Sequence, residues 1–331
     1  MNYQKICKDC LKNLNPRTLD VIERRFGLKG GEKETLEAIG LSHGVTRERV
    51  RQIESEGISK IKPQLGKNQE LFNDFQKVLS RFGGLKKEEE LLEILGGRRL
   101  KNQIYFLLSN LTGFERYQED SNFYSFWSNQ KDSFIKAKKA IESTIGRLEK
   151  ENKTFSFTDL LGSQELAEDV FSSYIGISKK IQKNPEGQFG LRNWIEINPK
   201  GVKDRAYLVF KREGKPIHFT DLALMIEKLP FPGPKKVQTA TVHNELIKDP
   251  RFVLVGRGLY ALSEWGYEPG VIKDIIAKIL KDSKRPLTKE EVLKKVLEQR
   301  FVKESTVVLN LQDRTYFNKD AKGNYFIVKE A

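Results

Sequence analysis

Gly44-Val45-Thr46-Arg47-Glu48-Arg49-Val50-Arg51-Gln52-Ile53-Glu54 decides how the chain begins, because it reads as a glycine break followed by a helix with one apolar and one ionic face. Val50, Ile53, Gly57 and Ile61 recur at helical spacing and mark the buried stripe. Arg47, Glu48, Arg51 and Gln52 fall on or beside the opposite face. Arginine donates two bonds to guanine, glutamate accepts from the cytosine amino group and glutamine pairs with adenine, so the set suits readout of base edges in a major groove. A solvated charged face is the plainer alternative. Just upstream, Thr35 is placed to cap a short helix that carries Leu36 and Ile39 inward. Ser42-His43-Gly44 then supplies the break, with a glycine free to take positive φ, and a second helix starts at Thr46. The expectation is a helix-turn-helix that inserts its second helix into DNA.

Leu14-Asn15-Pro16-Arg17, Phe26-Gly27-Leu28, Thr35-Leu36-Glu37 and the run Val45 to Glu54 resemble region 4 of the primary bacterial sigma factors, over residues 14–62. The resemblance implies that Arg47, Glu48 and Gln52 read bases of a −35-like promoter element. It implies also that Thr35 and Leu36 touch phosphate at a helix N-terminus, where dipole and free N–H groups favour an anion. Thr46, Arg49 and Arg51 are assigned with them to the DNA backbone. The family also docks this domain on the flap of the RNA polymerase β subunit. Two departures accompany the match. Arg17-Thr18 stands where the family has an Arg-Glu pair, and only Met1 to Leu14 precedes the motif, so the chain is expected not to melt promoters alone.

After Pro63 one unit recurs four times, each ending in an apolar residue, a polar stretch with Gly or Asn, and an aromatic-x-apolar pattern. The instances run from Phe114 to Trp127, Ile181 to Leu191, Phe252 to Leu262 and Phe317 to Ile327, and each predicts a hairpin. Their marker aromatics Phe123, Phe189, Tyr260 and Tyr325 lie 66, 71 and 65 residues apart, a period that suits one small domain per repeat. Helix starts keep the same register: Phe157-Thr158-Asp159-Leu160 recurs as Phe219-Thr220-Asp221-Leu222, and Thr288 with Glu291 is spaced for a capping box. Three helices and a hairpin give the order of a winged helix. Gly214 to Leu222 with Gly256-Arg257-Gly258-Leu259-Tyr260-Ala261-Leu262 resembles the HARE-type winged helix-turn-helix, clearest over 204–266.

The predicted fold is therefore mainly α, a helix-turn-helix domain followed by about four winged-helix modules, with boundaries at 1–65, 66–130, 131–200, 201–267 and 268–331. Winged helices bind DNA and proteins alike, so Lys235, Lys236, His243, Asn244 and Lys248 stand as candidate DNA contacts of the fourth segment. The net charge of +14 favours polyanions, and residues 66–130 net to zero, which suits a protein contact or spacer better than a phosphate surface. Trp127, Trp194 and Trp265 read as core anchors.

Other classes gain little support. The three histidines lack metal-ligand spacing, and Cys7 and Cys10 form a lone Cys-x-x-Cys pair on a helical apolar stripe, so they read as buried core residues. No glycine-rich stretch has phosphate-loop spacing, and no apolar run reaches the roughly 20 residues of a membrane span. No catalysis, cofactor, metal or membrane is expected, and the location expected is the cytoplasm, at the nucleoid. The main expectation is a sequence-specific DNA-binding transcription regulator whose partner is double-stranded promoter DNA. An RNA polymerase accessory protein gripping the β flap, and a DNA-recognition subunit of a restriction or defence system, are the alternatives.

Overall fold

A cap, a proline or a glycine begins or ends most of the N-terminal helices. The computed structural model describes residues 1–233 and 236–328, and these fall into two units, one ending at Asn193 and one beginning at Trp194. The first opens with α1 (Tyr3–Leu11) and α2 (Pro16–Phe26), the latter begun by Pro16 behind an Asn15 cap and ended by Gly27 at φ 64°. Then come α3 (Leu36–His43), the long α4 (Arg47–Gly66) and α5 (Gln69–Arg81). β1 (Leu85–Lys87), α6 (Glu88–Gly96), α7 (Lys101–Asn110), β2 (Glu115–Tyr117) and β3 (Phe126–Ser128) follow, and the strands form an antiparallel sheet in the order β1-β3-β2. The unit closes with α8 (Lys131–Glu151), α9 (Phe157–Leu161), α10 (Glu168–Gly176) and the hairpin β4 (Ile181–Lys183) with β5 (Phe189–Leu191).

Two apolar clusters hold the N-terminal helices. One contains Val21, Ile39, Val50 and Ile53 and joins α2, α3 and α4. The other is larger and runs from Tyr3 through Ile22, Ile61, Phe75, Phe106 and Leu107 to Trp127, so α1, α2 and α4 share it with α5, α6, α7 and β3. Gly57 lets α2 approach α4, since a Cβ there would come within 2.6 Å of Thr18 and Ile22 side-chain atoms. Cys7 and Cys10 are free thiols inside this core, and desolvation raises both, Cys10 up to about 12. Glu88 takes the indole N–H of Trp127 at 2.9 Å and the Arg116 guanidinium, while the buried Lys86 pairs with Glu90 at 2.7 Å.

The second unit contains α11 (Gly201–Glu213), β6 (Ile217–His218), α12 (Phe219–Glu227), α13 (Thr239–Lys248), β7 (Phe252–Gly256) and β8 (Leu259–Leu262), with the sheet order β6-β8-β7. α14 (Ile272–Ser283), α15 (Lys289–Gln299), α16 (Glu304–Leu311), β9 (Phe317–Lys319) and β10 (Tyr325–Ile327) complete it. Thr288 and Glu291 form the reciprocal capping box at the start of α15. Each of the four stretches marked by an aromatic residue folds as an antiparallel hairpin. The first differs in detail. Asp120 accepts the N–H groups of Asn122 and Phe123 at 2.7 Å, which bends the chain there, so Phe123 precedes its strand and bridges Ser178 instead. No described helix is long and apolar enough to cross a membrane.

Candidate nucleic-acid interface

The turn between α3 and α4 is set by two glycines. Gly44 takes φ 63°, and a Cβ on Gly40 would lie 2.7 Å from the Val45 carbonyl oxygen. Thr35 accepts the Ala38 N–H at 3.1 Å and Thr46 accepts the Arg49 N–H at 3.2 Å, so both helix starts are capped as their sequences require. Thr46→Ala should cost about 1 kcal/mol of stability, read as a lowered urea midpoint at unchanged slope.

Arg47, Glu48, Arg49, Arg51 and Gln52 are all exposed at the start of α4, with Val50 and Ile53 buried beneath them. Their neighbours along the helix pair them off. Arg51 donates twice to Glu48, at 2.9 and 2.7 Å, and Arg49 donates to the Gln52 amide oxygen at 3.0 Å. The hydrogen bond from Arg51 holds the Glu48 carboxyl below its ordinary range, opposed by desolvation and helped by the charges of Arg51 and Arg47. A pair this exposed is screened by water, so Glu48 is readily released to another donor. Arg47 makes no hydrogen bond or ion pair among the described residues. Thr35 is exposed and Leu36 half-buried against Val21 and Ile39, leaving the Leu36 backbone N–H as what it presents at the helix start.

A polar network orients this pair from behind. Arg24 donates to both oxygens of Glu34, at 2.8 and 2.7 Å, and to the Ser42 hydroxyl at 2.7 Å. Arg25 donates to the Glu34 carbonyl at 3.1 Å, and the His43 ring lies 2.8 Å from Asp20. The loop between α2 and α3 is in turn held by α7. Asn102 donates to the Gly27 and Gly31 carbonyls at 3.1 and 3.3 Å, and Gln103 donates to the Leu28 carbonyl at 3.0 Å. Lys33 lies over the Tyr105 ring at 3.4 Å, where desolvation lowers its pKa. Sequence reading named none of these supports. Arg24 and Glu34 carried a weak signal in their opposite charges, whereas Asn102 and Gln103 carried none.

Of the fourth segment's candidates, Lys236, Asn244 and Lys248 are exposed, and Lys235 lies outside the described residues. The His243 ring packs between Phe219 and Tyr260, with centroids 4.7 and 5.9 Å away. Among the described residues no group of His, Cys, Asp or Glu could hold a metal ion.

Residues 10–62 match the family described as Sigma-70, region 4. The RNA polymerase principal sigma factor HrdD of Streptomyces coelicolor is 43% identical over 54 residues, 16% of either chain. The RNA polymerase sigma factor SigA of Nostoc sp. is 48% identical over 52 residues, 16% of this chain and 13% of that one. SigA of Microcystis aeruginosa is 46% identical over 55 residues, 17% of this chain and 13% of that one. The chain thus spans 13 to 16% of the length of these curated relatives. Within those limits, residues 10–62 are a sigma-70 region 4 domain.

Proposed function

We propose that the protein is a sequence-specific DNA-binding transcription regulator in which α4 enters the major groove at a −35-like element. The observation that carries this reading is the exposed row Arg47, Glu48 and Gln52 at the start of α4, set behind a glycine turn inside a region 4 domain. Arg47 supplies a bidentate donor for guanine, Glu48 an acceptor for cytosine and Gln52 a pair for adenine. Thr35, Thr46, Arg49, Arg51 and the Leu36 N–H face phosphates. The segments after residue 66 are read as winged-helix modules, that at 204–266 being of HARE type, on the strength of their helices and hairpins. Lys236, Asn244 and Lys248 are its exposed groups for a second DNA contact.

The apolar side of the region 4 helices is covered by α7, through Ile22, Phe26, Ile61 and Phe106. An RNA polymerase subunit would therefore meet this domain on its polar surfaces. Crosslinking the tagged chain in its own cells and sequencing the recovered DNA tests the proposal. Sites sharing a −35-like motif are expected; recovery at all promoters without such a motif overturns sequence readout in favour of a polymerase accessory role. In binding measurements, log affinity should fall linearly with log salt, by about 0.9 for each phosphate neutralised.

A further inference from the structure

The second unit carries a groove of about 360 Å³ lined by Leu254 of β7, Arg257, Val271, Arg300, Val302 and Asn310 of α16, among others. Leu254 is 50% exposed and Val271 67%, and Phe301, between two of the lining residues, is 50% exposed. β7 is the outer strand of its sheet, and the Phe301 N–H is bonded to its Val255 carbonyl at 2.7 Å. One exposed cation and one buried cation border this apolar floor, and the Asp274 carboxylate, which accepts the Val271 N–H at 2.9 Å, lies at its rim. Arg257 is exposed and makes no hydrogen bond or ion pair among the described residues. Arg300 is 3% exposed, and its guanidinium donates only to carbonyl oxygens, of Gln299 at 2.9 Å, of Gly270 at 3.1 Å and of Glu268. No described carboxylate lies within ion-pair distance of Arg300, so its charge is offset mainly by these carbonyl dipoles, with the Glu268 carboxylate acting at longer range.

We propose that this groove is a docking site for an extended segment of another protein that combines apolar side chains with a carboxylate. Apolar residues would settle against Leu254, Val271 and Val302, and the carboxylate would meet Arg257 and the field of Arg300. Phe301 already bridges the β7 edge at Val255 and Gly256, so the segment would lie along the groove and not extend the sheet; an extended chain presents alternate side chains to one face, which suits a narrow groove. The charge argues against the other occupants. A second copy docked by a two-fold contact would bring the same cations together, and DNA presents charged phosphates and not an apolar face to cover Leu254 and Val271.

The test is selection of random displayed peptides on the full-length chain, followed by affinity measurement with a synthetic copy of the recovered sequence. Recovered peptides should pair apolar residues with Asp or Glu, and Leu254→Asp and Arg257→Glu should each weaken binding at least about tenfold. Arg257 is an exposed residue of the β7–β8 turn and outside the core, so its replacement leaves folding intact, which circular dichroism checks. Binding to promoter DNA should not change in either variant. The proposal is overturned if no peptide is enriched, if those enriched are basic or uncharged, or if both variants bind them normally. Loss of self-association in the variants, seen by sedimentation, would assign the groove to a second copy, and loss of DNA binding would assign it to DNA. Neither result would touch the role of α4, whose own test is the Arg47 substitution.

Discussion

Arg47→Ala should flatten the base preference at one position of the DNA site while leaving binding to unrelated DNA nearly unchanged. A bidentate arginine contact to a base discriminates by about 1 to 3 kcal/mol, so the favoured base pair should lose roughly five- to 150-fold of its advantage. Arg47 makes no hydrogen bond or ion pair among the described residues and is exposed, so the substitution removes no contact that holds the fold. The measurement is fluorescence anisotropy at one salt concentration over a series of sites altered one base pair at a time. An unchanged ranking of those sites would sink the recognition-helix proposal. Arg51→Ala is the informative contrast. It removes a cation and also frees Glu48 from its 2.7 Å partner, so general affinity should fall while Glu48 still chooses its base.

Phe106→Ala should be the most destabilising change, although Phe106 lies on α7 and outside the region 4 domain. The side chain is fully buried and meets Phe26 edge-on with ring centroids 5.0 Å apart. Removing a buried phenylalanine leaves a cavity and typically costs about 3 to 5 kcal/mol. Because α1, α2 and α4 share this core, the loss should carry over to DNA binding at temperatures where the wild type still binds. Urea unfolding followed by fluorescence measures it, with Trp127 reporting the first unit from inside that core and Trp265 reporting the second. A loss below about 1 kcal/mol would mean that α7 packs on the domain without supporting it.

The helix-turn-helix was legible because its determinants are local. Thr35, Gly44 and Thr46 act within a few residues of themselves, and Val50 and Ile53 announce their burial by spacing alone. The hairpins were legible for the same reason, except where the Asp120 turn displaces Phe123 from its strand. What held the α2–α3 loop was not legible. The amides of Asn102 and Gln103 bond to carbonyls about seventy positions away in the chain, and a carbonyl is the same on every residue. The environment of His243 was hidden similarly: helical spacing gives a face, while Phe219 and Tyr260 come from two other elements to flank the ring.

The anchoring of that loop has a consequence for how the α2–α3 segment responds to a ligand. Gly30 and Gly31 sit where an unrestrained chain would sample many conformations, and glycine surrenders more freedom on ordering than any other residue. Asn102, Gln103 and Tyr105 fasten the loop on either side of and within that tip, so its disorder is given up when the protein folds. Under the proposed function, the start of α3 would then meet a phosphate already ordered, with little of the binding energy diverted to arranging it.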